Sequence, residues 1–101
     1  MKIIPLSGAP KVPFDLEGYI MHSSKSLEII HLVLQPGQTI EKHSNQIDVI
    51  ICLITGEVTL NIYQNSNCLA LYDMVEIERN SERGFTNTGQ TEARLLILKK
   101  F

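Results

Sequence analysis

The 101-residue sequence lacks features that several large classes of protein require. Its longest apolar run, residues 49–54, is far shorter than the ~20 residues that a membrane-spanning helix needs. Nine Lys and Arg stand against eleven Asp and Glu, so the formal charge is −2 and the basic surface typical of nucleic-acid-binding proteins is missing. We therefore expect neither a nucleic acid nor a membrane as a partner.

Cysteine is nearly absent. Cys52 and Cys68 are the only two, and neither belongs to a C-x-x-C pair, which argues against a disulfide framework and against a zinc knuckle. The apolar part of residues 1–5 is too short for a secretory signal. These observations favour a cytoplasmic protein.

Helical periodicity is missing as well, and short runs of β-forming residues alternate with turn residues instead. The predicted strands are residues 27–34, 47–54, 57–63, 68–71, 74–77, 83–87 and 93–98, with a polar turn at 64–67. Strands at intervals of about 8–12 residues indicate an all-β sandwich or barrel.

The length predicts one domain over residues 1–101. Residues 1–26 contain Pro5, Pro10 and Pro13, which limit strand pairing, so we expect an N-terminal arm there with short edge strands near residues 2–4 and 19–21. Residues 27–101 form the predicted barrel. The run at residues 49–54 is apolar on both faces, so either the arm or a second copy of the chain must cover its outer face. We expect a homodimer packed through that face.

Two spaced motifs cover much of the predicted barrel. The first pattern, G-x5-H-x-H-x3-E-x6-G, is matched in spacing by Gly37, His43, Asn45, Val49 and Gly56. The second pattern, G-x5-P-x-G-x2-H-x3-N, is matched in spacing by Tyr72, Glu78, Asn80, Arg83 and Asn87. Both spacings resemble those of the small single-domain cupins, and the resemblance implies a double-stranded β-helix, the jelly-roll barrel of that family.

The same resemblance implies a metal site, which the residues do not support. The three His and one Glu that bind metal in many cupins fall on His43, Asn45, Val49 and Arg83. Val49 has no donor atom, and the guanidinium of Arg83 is permanently cationic, so we expect no metal at this site and no cofactor. A relocated site that combines His43 with His22 or His31 is the alternative.

A pocket for a small molecule is the remaining expectation. Strand alternation places Glu41, His43 and Asn45 on the inner face, followed by Val49, Ile51 and Leu53, while Arg83 and Phe85 enter from the facing part of the barrel. The predicted ligand-binding residues are Glu41, His43, Asn45, Val49, Ile51, Arg83 and Phe85. Few polar groups over an apolar floor are typical of a small-molecule site.

The role of Arg83 has two interpretations. It pairs with Glu41 or Glu82 as a purely structural cross-link, or it binds the carboxylate or phosphate of a ligand. The resulting hypothesis is a metal-free, non-catalytic module that binds a small anionic molecule and has no catalytic residues. The alternative is an enzyme: an oxygenase or isomerase with atypical metal ligands, or a metal-independent isomerase in which His43 is the acid–base residue. A domain without any ligand is the third possibility.

Overall fold

The structure is a computed structural model that describes residues 1–101, and strands make up most of it. The strands are β1 Glu17–Ser23, β2 Leu27–Leu34, β3 Thr39–His43, β4 Asp48–Thr55, β5 Val58–Ile62, β6 Asn65–Leu69, β7 Met74–Ile77, β8 Arg83–Asn87 and β9 Ala93–Lys100. One turn of 3₁₀ helix, Leu6–Gly8, is the single helical element. No helix has the length and hydrophobicity needed to cross a membrane.

The nine strands form two antiparallel sheets. Five strands make the first sheet, in the order β1-β2-β9-β4-β7, and four make the second, in the order β3-β8-β5-β6. Most consecutive strands lie in different sheets, so the chain crosses between the sheets at six of its eight strand connections, as it does in a jelly roll. The expected all-β jelly-roll barrel is confirmed.

A single hydrophobic core lies between the sheets, formed by thirteen buried side chains. They are Ile30, Leu32, Leu34, Val49, Ile51, Leu53, Val58, Leu60, Leu69, Ile77, Phe85, Ala93 and Leu95. On β4 the burial alternates, so that Val49 and Ile51 are buried whereas Ile50 and Cys52 are half-buried on the outer face. Within one chain, the core therefore covers the inner face of this apolar strand, whereas its outer face is only partly covered.

Strand β3 contains a bulge that sets which of its side chains face the cavity. Ile40 pairs with Phe85 and His43 pairs with Arg83, so the two residues between them on β3 lie opposite Gly84 alone on β8. Gly84 lies against this bulge: a Cβ added to Gly84 would be 2.6 Å from the carbonyl oxygen of Ile40 and 2.9 Å from the nitrogen of Lys42. Only glycine leaves room for the bulged backbone.

Four residues at the glycine positions of the two sequence motifs have left-handed backbone conformations. In the first motif these are Gly37, with a φ of 83°, and Gly56, with a φ of 85°. In the second motif Tyr72 has a φ of 68° and Asn80 has a φ of 66°, although neither is glycine. Because non-glycine residues rarely adopt such φ values, this agreement supports the alignment of the second motif with this chain.

The N-terminal arm differs from the expectation at one of its two edge strands. Residues 2–4 form no strand, so that expectation is wrong. The segment before β1 pairs instead through Pro10 and Val12: the nitrogen of Ile20 donates to the carbonyl oxygen of Pro10 at 2.7 Å, and that of Val12 donates to Gly18 at 2.9 Å. The pairing is confined to one bridge, between Lys11 and Tyr19, and proline can accept such bonds but cannot donate them.

The predicted turn at residues 64–67 is also wrong. Ile62 pairs with Asn65, so the turn consists of Tyr63 and Gln64 alone, and β6 begins at Asn65. Tyr63 has a φ of 52°, as the first central residue of a tight hairpin requires. The polar residues of β6 resemble a loop in sequence but form a regular ladder with β5.

Candidate functional site

A cavity of about 240 Å³ lies between the two sheets. Nine of its thirteen lining residues are hydrophobic. The lining consists of Phe14, Leu16, Ile30, Leu32, Ile40, His43, Asn45, Val49, Ile51, Arg83, Phe85, Ile97 and Lys99. A mainly apolar cavity with a few polar side chains is typical of a small-molecule site.

Most residues predicted for this site do line the cavity. They are His43, Asn45, Val49, Ile51, Arg83 and Phe85. Glu41 is exposed and does not line the cavity, so its expected position is wrong. The bulge in β3 puts Ile40 in the place that strict alternation gave to Glu41. Leu53 is fully buried in the core beyond the cavity.

Arg83 is the most buried polar side chain of the cavity, with 3% of its surface exposed. Its Nη1 donates to the carbonyl oxygen of Ser81 at 3.2 Å. With the amide oxygen of Asn45 turned toward it, its Nη2 donates to that oxygen at 3.3 Å. None of the three ion pairs in the structure includes Arg83, so the interpretation of Arg83 as a structural ion-pair partner of Glu41 or Glu82 is wrong. Burial lowers the pKa of the guanidinium.

His43 is the neighbour of Arg83 in the sheet. The two residues are directly paired across β3 and β8. Arg83 therefore reaches the cavity from the strand next to His43, and the expectation that it enters from the facing part of the barrel is wrong. The Nδ1 atom of His43 lies 3.0 Å from the carbonyl oxygen of Glu41. Because a carbonyl only accepts, Nδ1 carries the proton, and in the neutral ring Nε2 keeps a free lone pair.

The donor set does not fit a divalent metal. His43 is the only imidazole of the cavity, Val49 has no donor atom, and the Arg83 cation occupies the place of a ligand. No group of three His, Cys, Asp or Glu side chains in the structure is arranged to hold a metal ion. His31 lies outside the cavity, where its Nε2 is 3.1 Å from Nη1 of Arg94, and His22 is exposed on β1.

Lys99 is a cavity residue that sequence reasoning missed. Strand β9 extends to Lys100, two residues beyond its predicted end, and alternation from Leu95 through Ile97 brings Lys99 to the cavity. Its Nζ lies 3.6 Å from Oε1 of Glu28 on the neighbouring strand β2. Because of this contact with Glu28, the charge of Lys99 is already paired. The sequence signal for Lys99 was the alternation of inward and outward side chains on β9, which continues through the two lysines at its end.

The N-terminal arm contributes a second group of unpredicted residues. Phe14 and Leu16 precede β1 and line the cavity from outside the two sheets. Phe14 is 69% exposed, whereas Leu16 packs against the core. The sequence carries no spacing signal for these contacts, because the arm lies outside both motifs.

No family model matches the sequence, and no curated protein is significantly similar to it. Solved structures are similar over nearly the whole chain. A Cupin 2 conserved barrel domain protein from Salinispora arenicola superposes with a TM-score of 0.85 at 17% identity, covering 100% of this chain and 89% of its own. An RmlC-like cupin with a double-stranded β-helix fold from Methanocaldococcus jannaschii gives 0.82 at 20% identity, covering 99% and 90%.

The chain has the cupin fold. A predicted oxalate decarboxylase from Thermotoga maritima is similar at the same level, with a TM-score of 0.88, 15% identity and 99% of both chains covered. The fold expected from the motif spacing is thus confirmed. Since one barrel serves different activities, the function of this cupin barrel has to be argued from its own cavity.

Proposed function

We propose that this cupin barrel binds a small anionic molecule in its cavity without a metal ion, with Arg83 as the residue that pairs with the anion. One observation carries the proposal: Arg83 is almost fully buried, lines a mainly apolar cavity and has no carboxylate partner.

The energetics of a buried charge support this role. A cation removed from water loses several kcal/mol of hydration unless an anion and hydrogen bonds offset the loss. Arg83 has five N–H donors, and two neutral oxygens, those of Ser81 and Asn45, accept from it. A ligand carboxylate or phosphate would bind the remaining donors in a two-pronged arrangement, which is the strongest form of such contacts.

Binding assays with a matched pair of arginine variants test the proposal. We expect carboxylates or phosphates, and not the corresponding neutral amides, to raise the melting temperature of the wild-type protein. Arg83→Met removes this effect, whereas Arg79→Met keeps it, because Arg79 is an exposed residue paired with Asp48 at 3.2 Å. A panel in which no anion stabilises the wild-type protein contradicts the proposal, as does a shift that survives Arg83→Met.

The stability of the free variants gives a second test. Replacing an unpaired buried cation by an apolar side chain of similar length is neutral or stabilising in the absence of ligand. Arg83→Met is therefore expected to unfold at the same urea concentration as wild type or a higher one. A strongly destabilised Arg83→Met protein would mean that Arg83 serves the fold.

A second candidate function is acid–base catalysis by His43. The observation that favours it is the bond from Nδ1 to the Glu41 carbonyl, which leaves Nε2 free to accept a proton at the exposed edge of the cavity, next to the cationic Arg83. If His43 is the base, His43→Gln keeps anion binding and abolishes turnover of any substrate found. If the barrel only binds, no anion in the panel is converted.

We also propose that the chain forms a homodimer through the outer face of the five-stranded sheet. Cross-strand pairs build a continuous apolar surface there, with Ile29 and Ile50 on either side of Leu98, and Cys52 next to Leu96. These side chains are half-buried in the monomer. An apolar sheet face of this kind is typically covered by a partner, and a second copy is the commonest one.

Light scattering on matched lysine variants tests the dimer. Ile50→Lys and Cys52→Lys put a charge into the proposed interface and are expected to give the monomer mass. Cys68→Lys, an exposed position on β6 of the other sheet, is the control and retains the dimer. A wild-type monomer, or dimeric Ile50→Lys and Cys52→Lys proteins, would contradict this interface.

A further inference from the structure

The cavity walls change in polarity along the strands, and this gradient specifies the ligand beyond its charge. On the four-stranded sheet, the pair His43–Arg83 is followed along the ladder by the pair Ile40–Phe85. The polar pair therefore lies at the end of β3 that leads into β4, and the apolar pair lies further inside.

The opposite wall has the same gradient in the same direction. Lys99 pairs with Val49 at the beginning of β4, and Ile97 pairs with Ile51 two residues further along. Because β4 begins shortly after β3 ends, the charged ends of both walls lie at the same end of the barrel. The other end is lined by apolar side chains alone, among them Leu32.

The charges of the cavity add up to one unpaired cation. Lys99 is paired with Glu28, and Arg83 has only neutral partners. A monoanion matches one cation, whereas a phosphate dianion calls for a second one. The polar side chains are confined to the charged end, so the apolar end offers no partners for the hydroxyl groups of a sugar.

From these features we propose that the ligand is a monocarboxylate with a compact hydrocarbon body. Its carboxylate pairs with Arg83 beside His43, and its body lies against Ile40, Phe85 and Ile97. This inference rests on the proposed function and adds the substrate class. The cavity volume of about 240 Å³ lies below the ~300–1,000 Å³ that is usual for pockets of drug-sized ligands, which favours a body as small as a short chain or a single ring.

Calorimetric titration with straight-chain carboxylates from acetate to octanoate tests the class. Each methylene that enters the apolar end is expected to lower the Kd about fourfold, until the cavity is full and the Kd levels off. Hexanamide, which has the same body and no charge, is expected to bind at least about tenfold more weakly than hexanoate. Ile97→Ala is expected to reduce the ratio of hexanoate to acetate affinity.

The outcomes separate this inference from the function on which it rests. If acetate and hexanoate bind with equal affinity and both require Arg83, the anion site stands and the hydrocarbon body is refuted. Tighter binding of inorganic phosphate than of hexanoate also refutes the class. If no anion binds the wild-type protein, the proposed function itself fails.

Discussion

Gly84 packs directly on the backbone of Ile40, and this contact is what allows the β3 bulge to bring both Ile40 and His43 to the cavity. A Cβ on Gly84 would lie 2.6 Å from the Ile40 carbonyl oxygen, closer than van der Waals contact permits. The bulge thus depends on a residue of the neighbouring strand β8.

Gly84→Ala is expected to lower the free energy of unfolding by about 1–3 kcal/mol, because the neighbouring backbone has to shift. Urea unfolding measures the loss. Gly8→Ala is the control, since the nearest heavy atom to a Cβ there is Cγ of Pro5 at 3.7 Å, an ordinary contact. Equal effects of the two variants would show that the bulge does not require glycine.

Tyr72 has a left-handed backbone at a position that the cupin pattern gives to glycine, and its side chain is 74% exposed. The left-handed conformation costs a non-glycine residue about 1–2 kcal/mol, more than the backbone entropy of glycine. We expect Tyr72→Gly to raise the free energy of unfolding by about 0.5–1 kcal/mol. Leu71→Gly, at an adjacent exposed position with ordinary φ, lowers it. A destabilised Tyr72→Gly protein would mean that the tyrosine ring makes stabilising contacts.

Asn87 is a buried polar residue whose side chain makes three hydrogen bonds. Its Nδ2 donates to the carbonyl oxygens of Leu34 and Thr91, and its Oδ1 accepts from the nitrogen of Gly89, each at 2.9 Å. Asn87→Asp keeps the shape but turns the donor into a carboxylate oxygen facing two carbonyls. At neutral pH the free energy of unfolding is expected to fall by at least about 3 kcal/mol in denaturant titrations.

The control for that change is Asn67→Asp, which adds the same charge at an exposed position of β6. It is expected to alter stability by less than about 0.5 kcal/mol. Comparable losses of unfolding free energy at the two positions would show that the added charge, and not the loss of the Asn87 hydrogen bonds, causes the effect.

The lowered pKa of His31 leads us to expect that the stability of the protein depends on pH. Burial lowers its pKa below 6.5, and so does Arg94, while Glu17 and Glu92 oppose the shift and Tyr19 contacts the ring at its edge. As pH falls through about 6.5 the unfolded chain takes up a proton that the folded protein resists, so folding becomes less favourable. The wild-type protein should therefore lose stability between pH 8 and pH 5.5.

Melting temperatures of wild type and His31→Gln across that range measure the contribution of His31. The loss on acidification is expected to be smaller in His31→Gln. His22→Gln removes an exposed imidazole from β1 and serves as the control. An identical pH profile for wild type and His31→Gln would exclude His31 as its source.

The cupin fold and six of the thirteen residues that line the cavity were predictable because motif spacing survives the loss of the motif residues. Asn45, Val49 and Arg83 are unlike the metal ligands of the family, yet they line the cavity at the positions that spacing gave them. The motif spacing persists because the backbone geometry does: Tyr72 and Asn80 have left-handed conformations at the positions that the pattern gives to glycine.

The errors have equally specific causes. Glu41 was misplaced because one bulge interrupts the alternation, and a bulge depends on cross-strand packing that a single strand does not reveal. Phe14 lies far from the motifs in sequence and reaches the cavity only through the path of the arm. Whether a carboxylate lies beside Arg83 depends on how the strands are arranged in three dimensions. The sequence alone therefore leaves both interpretations of Arg83 open, the structural ion pair and the contact with a ligand anion.

The pairing of the N-terminal arm with β1 has a consequence for association between molecules. The arm forms the outermost segment at that side of the five-stranded sheet, and it contains Pro10 and Pro13. The backbone of Pro10 faces β1, so Pro13 is the proline that has no N–H to offer to an incoming strand, and the exposed Lys11 adds a charge at the same edge. Growth of the sheet by strand addition from another chain is therefore disfavoured at this edge, which protects the protein from edge-to-edge aggregation at high concentration.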